Sequence, residues 1–250
     1  MVKPKLVIIV PCFNEESRLP VDAFSTFLGS SSNVAICFVN DASTDGTLHV
    51  IEQLRAKFPD KVDFLDNTKN LGKSGSISRG VMYCLEQKKA PHLAYLDADL
   101  ATSLEECSSY LSYLEQGKKF VFASRILKVG SVVERKFSRF LFGRIIATFI
   151  SGILDIKVYD TQCGCKLFTE EIARIAFNQP FTSRWLFDVE IFSRILNHYG
   201  KEKALSFMEE VPVKSWIDQG ESKVKVSYFF RLWIDLYRIW RTHNTPLKHG

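Results

Sequence analysis

The sequence predicts an α/β fold, a mainly parallel central sheet flanked by helices, and three observations carry that expectation. Short β-rich apolar runs alternate with helical patterns along the first half of the chain, as in successive βα units. Polar clusters (PCFNEE, NDASTDGT, NLGKSG and DADLATS) follow the first four of these runs in turn, and ligands of doubly wound sheets gather beyond the carboxyl ends of the strands. Finally, 250 residues with 46% hydrophobic and 24% charged content are enough for one large domain with a sizeable core, and the composition is not that of a disordered chain.

Taken in order, residues 6–10 (LVIIV) form an apolar strand closed by Pro11, and 21–28 a helix. A second strand covers 34–39, and a helix capped near Ser43 covers 44–58. A third strand at 62–65 leads into a helix over 74–87, and a fourth at 93–96 into a helix over 104–115. Residues 120–123 make a fifth strand. With no internal repeat or low-complexity linker, the expected division is one domain over 1–225 and a C-terminal amphipathic helix and tail over 226–250.

The net charge of +5 and a pI of ≈ 8.8 suit an anionic ligand or a membrane surface. No Lys/Arg-rich run or nucleic-acid motif is present, so nucleic acid is not an expected partner. The basic start and short apolar run lack the longer core and cleavage site of a signal peptide. The six scattered cysteines read as free buried thiols of a reducing cytosol, and Cys163-Gly164-Cys165 lacks the second Cys/His pair that structural zinc needs. No stretch reaches the roughly 18–20 apolar residues of a membrane span.

Two acids end the fourth strand, in LDADLATS. On an extended segment, residues two apart point the same way, so Asp97 and Asp99 can face one locus. Two like charges there are costly unless a cation or a proton intervenes. Hard carboxylate oxygens favour Mg²⁺ or Mn²⁺, which combine one or two carboxylates with substrate phosphates. Alone, the pair would read as a turn former and a helix cap; the neighbouring clusters favour a site. In NDASTDGT, Ser43 and Asp45 suit a turn and cap, whereas Asp41 at the strand end can reach a base or ribose. Lys73 in NLGKSG is not a P-loop lysine, because Asn67 stands where the motif needs glycine.

The ordered set VPCFNEE, VNDASTDGT, NLGKSGSISRG and LDADLATS, with DTQCGCKLF, RWLFDVE and EVPVKSW…GESKV further on, resembles the family 2 glycosyltransferases of the GT-A fold. It looks most like their polyprenyl-phosphate branch, including the dolichyl-phosphate glucose synthases and bacterial relatives. The resemblance implies a nucleoside pocket lined by Pro11, Phe13 and Glu15, with Asp41 on the base. It places Asp97 near ribose and metal, and Asp99 on a Mg²⁺ or Mn²⁺ that bridges the diphosphate, with Lys73 either near the nucleotide or solvated. Asp160 would be the general base or the group orienting the acceptor. Trp185, Asp188 and Glu190 would shape the sugar or acceptor side, although the two acids also suit caps or salt bridges. Arg125 and Arg139 would hold the acceptor phosphate, and Ser222 and Lys223 would come over the diphosphate or belong to a polar loop.

Three departures from the family pattern stand out. Asn40 replaces the first Asp of DDxSxDGT, Cys165 replaces the Phe of QCGFK, and the chain ends at Gly250, where many bacterial relatives continue into membrane helices. Ala101, where mannose-type relatives carry Gln, leans towards glucose. The implied activity is metal-dependent transfer of a hexose, from UDP-glucose by preference, onto polyprenyl phosphate with inversion, in the cytoplasm or on the cytoplasmic membrane face. Competing readings are a family 2 transferase acting on a glycan, or a nucleotide-sugar-binding subunit awaiting a membrane partner. Homo-oligomerisation is compatible with each of these readings.

Residues 135–154 and 226–241 mix basic and large apolar residues, as helices at a membrane interface do. In the second, Arg231, Asp235 and Arg238 make one polar stripe, and Trp233, Tyr237 and Trp240 suit an interfacial belt. Core packing or a protein contact would explain the same patterns.

Overall fold

The computed structural model describes residues 3–126, 129, 132–134, 137–217 and 228–244. Its first half follows the expected alternation: β1 (Leu6–Cys12), α1 (Val21–Ser30), β2 (Val34–Asn40), α2 (Thr47–Lys57), β3 (Val62–Asp66), α3 (Gly72–Glu86) and β4 (His92–Leu96). Then come α4 (Leu104–Ser109), α5 (Leu111–Glu115), β5 (Phe120–Ser124), β6 (Val132–Glu134) and α6 (Phe137–Leu154). The last part holds β7 (Cys165–Thr169), α7 (Glu170–Ala176), α8 (Phe187–Tyr199), α9 (Lys201–Phe207), β8 (Met208–Pro212), β9 (Ser215–Ile217) and α10 (Tyr228–Asn244).

Among the described residues the strands form a seven-stranded sheet in the order β3-β2-β1-β4-β7-β5-β8, with β6 and β9 paired separately. Every pairing in the large sheet is parallel except those of β7, which runs antiparallel to both β4 and β5. Side chains alternate across the strands, so the sheet buries two faces. Leu6, Ile8 and Val10 pack with α1, α2, α4 and α5, while Val7 and Ile9 pack with α3 and with α6 to α10. This layering explains why the strands read as continuous apolar runs rather than as alternating ones.

Two expected helices differ in detail. The one expected from residue 44 starts at Thr47, because Asp45 Oδ1 accepts from the Thr47 N–H (3.0 Å) and Ser43 Oγ is taken by the Asn14 N–H (3.0 Å). The one expected over 104–115 is split at Tyr110, whose N–H bonds back three residues to the Cys107 carbonyl (3.2 Å) and whose hydroxyl donates to Glu106 (3.1 Å). All six cysteines are buried and free.

On α10, Leu232, Leu236 and Ile239 enter the core formed with Ile146 and Ile150 of α6. Asp235 is buried and accepts from Ser183 Oγ (2.7 Å). The polar stripe expected through Arg231, Asp235 and Arg238 is therefore divided: the Asp235 carboxylate binds the loop ahead of α8 while Arg238 stays exposed, and the side chain of Arg231 lies outside the described residues. Trp233, Tyr237 and Trp240 stay exposed. No described helix is long and apolar enough to cross a membrane.

Helix α3 lies against β1 and β2 at Gly80, where an added methyl would sit 2.6 Å from Ile9 Cγ2 and 2.9 Å from Val39 Cγ2. Both neighbours are buried and β-branched, so neither can rotate aside freely. Gly80→Ala should therefore lose about 1–3 kcal/mol to overpacking, outweighing the ~1 kcal/mol gained in helix propensity. Urea unfolding monitored by circular dichroism measures the difference.

Candidate active site

The polar clusters meet at the carboxyl edge of the sheet, and the first two are stitched together by their own backbones. Asn14, left-handed at φ 53°, accepts from the Thr44 N–H (2.9 Å), and the Glu15 N–H donates to Thr47 Oγ1 (2.8 Å). Glu16 accepts from the Gly46 N–H (2.9 Å). These bonds leave Pro11 half-buried and Phe13 exposed beside the strand ends, while the Glu15 carboxylate pairs with Arg18 (2.8 Å).

Asp41 is buried and organises the third cluster. Its carboxylate accepts from Asn67 Nδ2 (2.8 Å), the Leu71 N–H (2.7 Å) and the Gly72 N–H (2.8 Å). Asp41 thus sets the start of α3, and with it the position of Lys73. Asn40, the departure from the family pattern, is also buried and donates from Nδ2 to Asp66 Oδ1 (2.7 Å). An Asp at that position would set two carboxylates against each other.

Beyond β4, Lys73 Nζ lies 2.5 Å from Asp97 Oδ1. Burial opposes the ammonium charge, but the Asp97, Asp188 and Asp99 carboxylates together hold it above the ordinary lysine range. Asp99 stands at the mouth of the crevice and accepts the Ala101 N–H (3.1 Å). Loss of solvent inside the crevice, and then the nearby Asp97 charge, push its carboxyl above the usual range. This is the electrostatic signature expected of two acids sharing a site. Among the described residues no group of three His, Cys, Asp or Glu side chains is arranged to hold a metal ion. The hard oxygens of Asp97 and Asp99 suit a cation that takes its remaining ligands from phosphate and water, as Mg²⁺ does.

Asp160 and Arg125, far apart in sequence, meet as a two-pronged pair: Nε to Oδ2 at 2.6 Å and NH2 to Oδ1 at 2.9 Å. The Arg125 and Gln162 N–H groups add bonds of 3.2 and 3.0 Å to the same carboxylate. Burial disfavours the charge, but the guanidinium and these donors bring the Asp160 carboxyl down to about 2. Such a carboxylate is a poor proton acceptor at neutral pH, so its geometry suits orientation. The guanidinium also lies over Trp216, 5.3 Å from the ring centroid.

Asp188 and Glu190 are buried at the start of α8. Asp188 accepts from Lys166 Nζ (2.6 Å) and from the Tyr95 hydroxyl. Glu190 accepts from the Thr182 and Ser183 N–H groups at 3.1 and 2.7 Å. Trp185 is exposed nearby. Arg139 belongs to α6, but its side chain lies outside the described residues, as do Ser222 and Lys223 entirely.

Sequence reasoning missed four contributors. Glu210 accepts from the Tyr159 and Asp160 N–H groups (3.1 and 2.8 Å) and fixes the turn that carries Asp160. Lys166 is fully buried, Gly164 lies against the Asp97 carboxylate, and Arg184 lies over Gly72. A lysine within the apolar CKLF run was the one legible signal among them. A groove of about 590 Å³ along α6, between Arg144 and Leu205, holds none of these residues.

A sequence profile described as Glycosyl transferase family 2 matches residues 7–175. Dolichyl-phosphate beta-glucosyltransferase ALG5D of Trichomonas vaginalis is 31% identical over 95% of this chain and 74% of its own length. The human dolichyl-phosphate beta-glucosyltransferase is 30% identical over 92% of this chain and 77% of its own. Glucosyl-3-phosphoglycerate synthase from Mycobacterium tuberculosis, solved with Mn²⁺, UDP and glucosyl-3-phosphoglycerate, superposes with a TM-score of 0.64. At 13% identity, covering 99% of this chain and 82% of that one, it is similar in fold. With the carboxylates at the sheet edge and the profile over most of the chain, the protein belongs to glycosyl transferase family 2, in its polyprenyl-phosphate branch, and is a glycosyltransferase of the GT-A fold.

Proposed function

We propose that the protein transfers glucose from UDP-glucose to a polyprenyl phosphate, with inversion at the anomeric carbon and with Mg²⁺ or Mn²⁺ as cofactor. The observation that carries this reading is the Asp97–Asp99 pair beyond β4, with Lys73 beside it and Arg125 close enough to feel the Asp97 charge. Relatives named for dolichyl phosphate and glucose, matched over nearly the whole chain, support the acceptor and the sugar, as does Ala101. A fold neighbour solved with UDP and Mn²⁺ supports the nucleotide and a divalent ion.

In this reaction an acceptor phosphate oxygen bonds to the anomeric carbon while the bond from that carbon to UDP breaks, and the electron pair leaves with UDP. Asp97 and Asp99 would hold the cation, which, once bound, supplies positive charge to the departing diphosphate. Lys73 would add a second positive charge there. Pro11, Phe13 and Glu15 would border the nucleoside, and Asp41 would act on it either directly or by fixing the 67–72 loop. A phosphate acceptor is largely ionised at neutral pH and needs little help from a base. Asp160 would instead hold Arg125 towards that phosphate, taking two of its five N–H donors. Trp185 would border the sugar. Arg139, Ser222 and Lys223 keep the phosphate-side roles that the resemblance implies.

The lipid acceptor calls for a membrane surface, and one face of the molecule suits it. Ile145 and Phe149 of α6 are exposed beside Trp233 of α10, with Phe149 and Trp233 edge to face at 5.0 Å. Tyr237 and Trp240 extend the same stripe, with Arg238 and Arg241 exposed alongside, a combination suited to peripheral attachment at a cytoplasmic leaflet.

The direct test is transfer of labelled sugar from UDP-glucose to a short polyprenyl phosphate. Label in the lipid is the expected result, and hydrolysis without lipid product would overturn the acceptor. Asp99→Asn should lower kcat/KM at least about 100-fold with unchanged circular dichroism, and chelation followed by Mn²⁺ should abolish and then restore transfer. Removing the guanidinium by Arg125→Met should raise the Asp160 carboxyl from about 2 towards the ordinary carboxylate range, read by NMR titration of that carboxyl. The sign for stability follows from a depressed folded-state value. The unaltered pair stabilises fully above about pH 4 and loses that contribution as pH falls through about 2. On anionic phospholipid vesicles, Phe149→Glu with Trp233→Glu should weaken sedimentable binding at least about tenfold.

A further inference from the structure

The least expected charged group in the core is Lys166. It is fully buried on β7, opposite Tyr95 of β4. Its ammonium donates to Asp188 Oδ1 (2.6 Å) and to the Cys163 carbonyl (2.8 Å). Asp188 also accepts the hydroxyl of Tyr95, which is fully buried two residues before Asp97. A buried ion pair is a weak source of stability, since well-packed apolar residues commonly replace one at no cost. What distinguishes this pair is the bond to Cys163. The next residue, Gly164, accepts the Asp97 N–H (3.1 Å), and its Cα lies so close to the Asp97 carboxylate that a side chain would overlap it.

We infer that Lys166, neutralised by Asp188, is a positioning residue for the donor site: by holding the Cys163 carbonyl it keeps the Gly164 peptide against Asp97, and so fixes the carboxylate for the cation and diphosphate. The inference rests on Asp97 being on the donor side, as proposed above. The segment 160–166 is anchored at both ends, by Arg125 and Glu210 at Asp160 and by Lys166 at Cys163. The second anchor adjoins Gly164, whose carbonyl accepts the Asp97 N–H. Loss of Lys166 should therefore weaken donor binding. Groups that orient metal-binding carboxylates typically change metal affinity 10- to 100-fold when removed.

The test uses equilibrium binding of Mn²⁺, by its electron paramagnetic resonance signal, and of UDP in the presence of Mn²⁺. Lys166→Met alone leaves Asp188 charged and buried without its partner. The double variant Lys166→Met with Asp188→Asn removes both charges and keeps an acceptor for Tyr95. The double variant should melt near the unaltered protein and still bind Mn²⁺ and UDP about 10- to 100-fold more weakly. Its KM for the donor should rise by a similar factor. Gly164→Ala, which presses on Asp97 without touching the ion pair, should reproduce the donor defect and covers the case in which the double variant does not fold. Unchanged Mn²⁺ and UDP affinities in either folded variant would overturn the positioning role while leaving the donor-site reading intact. Failure of the unaltered protein to bind Mn²⁺ and UDP would overturn both.

Discussion

Five residue pairs between β4 and β7, from His92–Thr169 to Leu96–Cys165, hold the two halves of the site together. The antiparallel register carries the chain ahead of Cys165 directly against the carboxylates that follow Leu96. Without it, Asp97 and Asp99 would be the end of one βα unit, and Asp160 would lie on a separate connection. With it, the Asp97 N–H bonds to the Gly164 carbonyl, and the segment carrying Asp160 becomes a wall of the crevice. The β5 strand on the other side of β7 brings Arg125, one residue past its end, to the same wall.

Three cations at this edge pair with carboxylates at different depths, and Asp99 adds a further carboxylate beside the outermost pair. Arg125 with Asp160 and Lys166 with Asp188 are buried, multiply bonded pairs, and such geometry fixes position rather than inviting exchange. Lys73 with Asp97 is partly exposed, and Asp99 lies further out still. The rigid pairs thus frame a less constrained set of one cation and two carboxylates, the arrangement in which an incoming anion and metal ion can rearrange partners at low cost. Under the proposed function, this would be electrostatic preorganisation around a leaving diphosphate.

The surface formed by α6 and α10 obeys a different rule. Helices α6 and α10 each put one apolar stripe into the core and leave another outside. The exposed stripes adjoin through Phe149 and Trp233. Arg144 of α6 stacks on Tyr159 and bonds to its carbonyl (2.8 Å), next to Asp160. The aromatic surface and the segment carrying Asp160 are therefore joined by one helix.

Much of this was legible in the sequence. Apolar runs placed the first five strands, because strand periodicity is a local property; the two acids, expected on one face of an extended segment, instead follow the end of β4 at Leu96, with Asp99 in the turn beyond it. The ordered motifs carried the family. Tertiary structure alone decided the rest. β7 is a short stretch whose direction depends on its neighbours, and Asp41, Asp188 and Asp235 acquired their partners from distant strands, loops and helices. Whether Asp160 acts as a base or as an anchor also depended on Arg125, thirty-five residues away in sequence. A motif specifies which groups are available; burial and the charges folded against them set their protonation and their reach, and neither is encoded within a single segment.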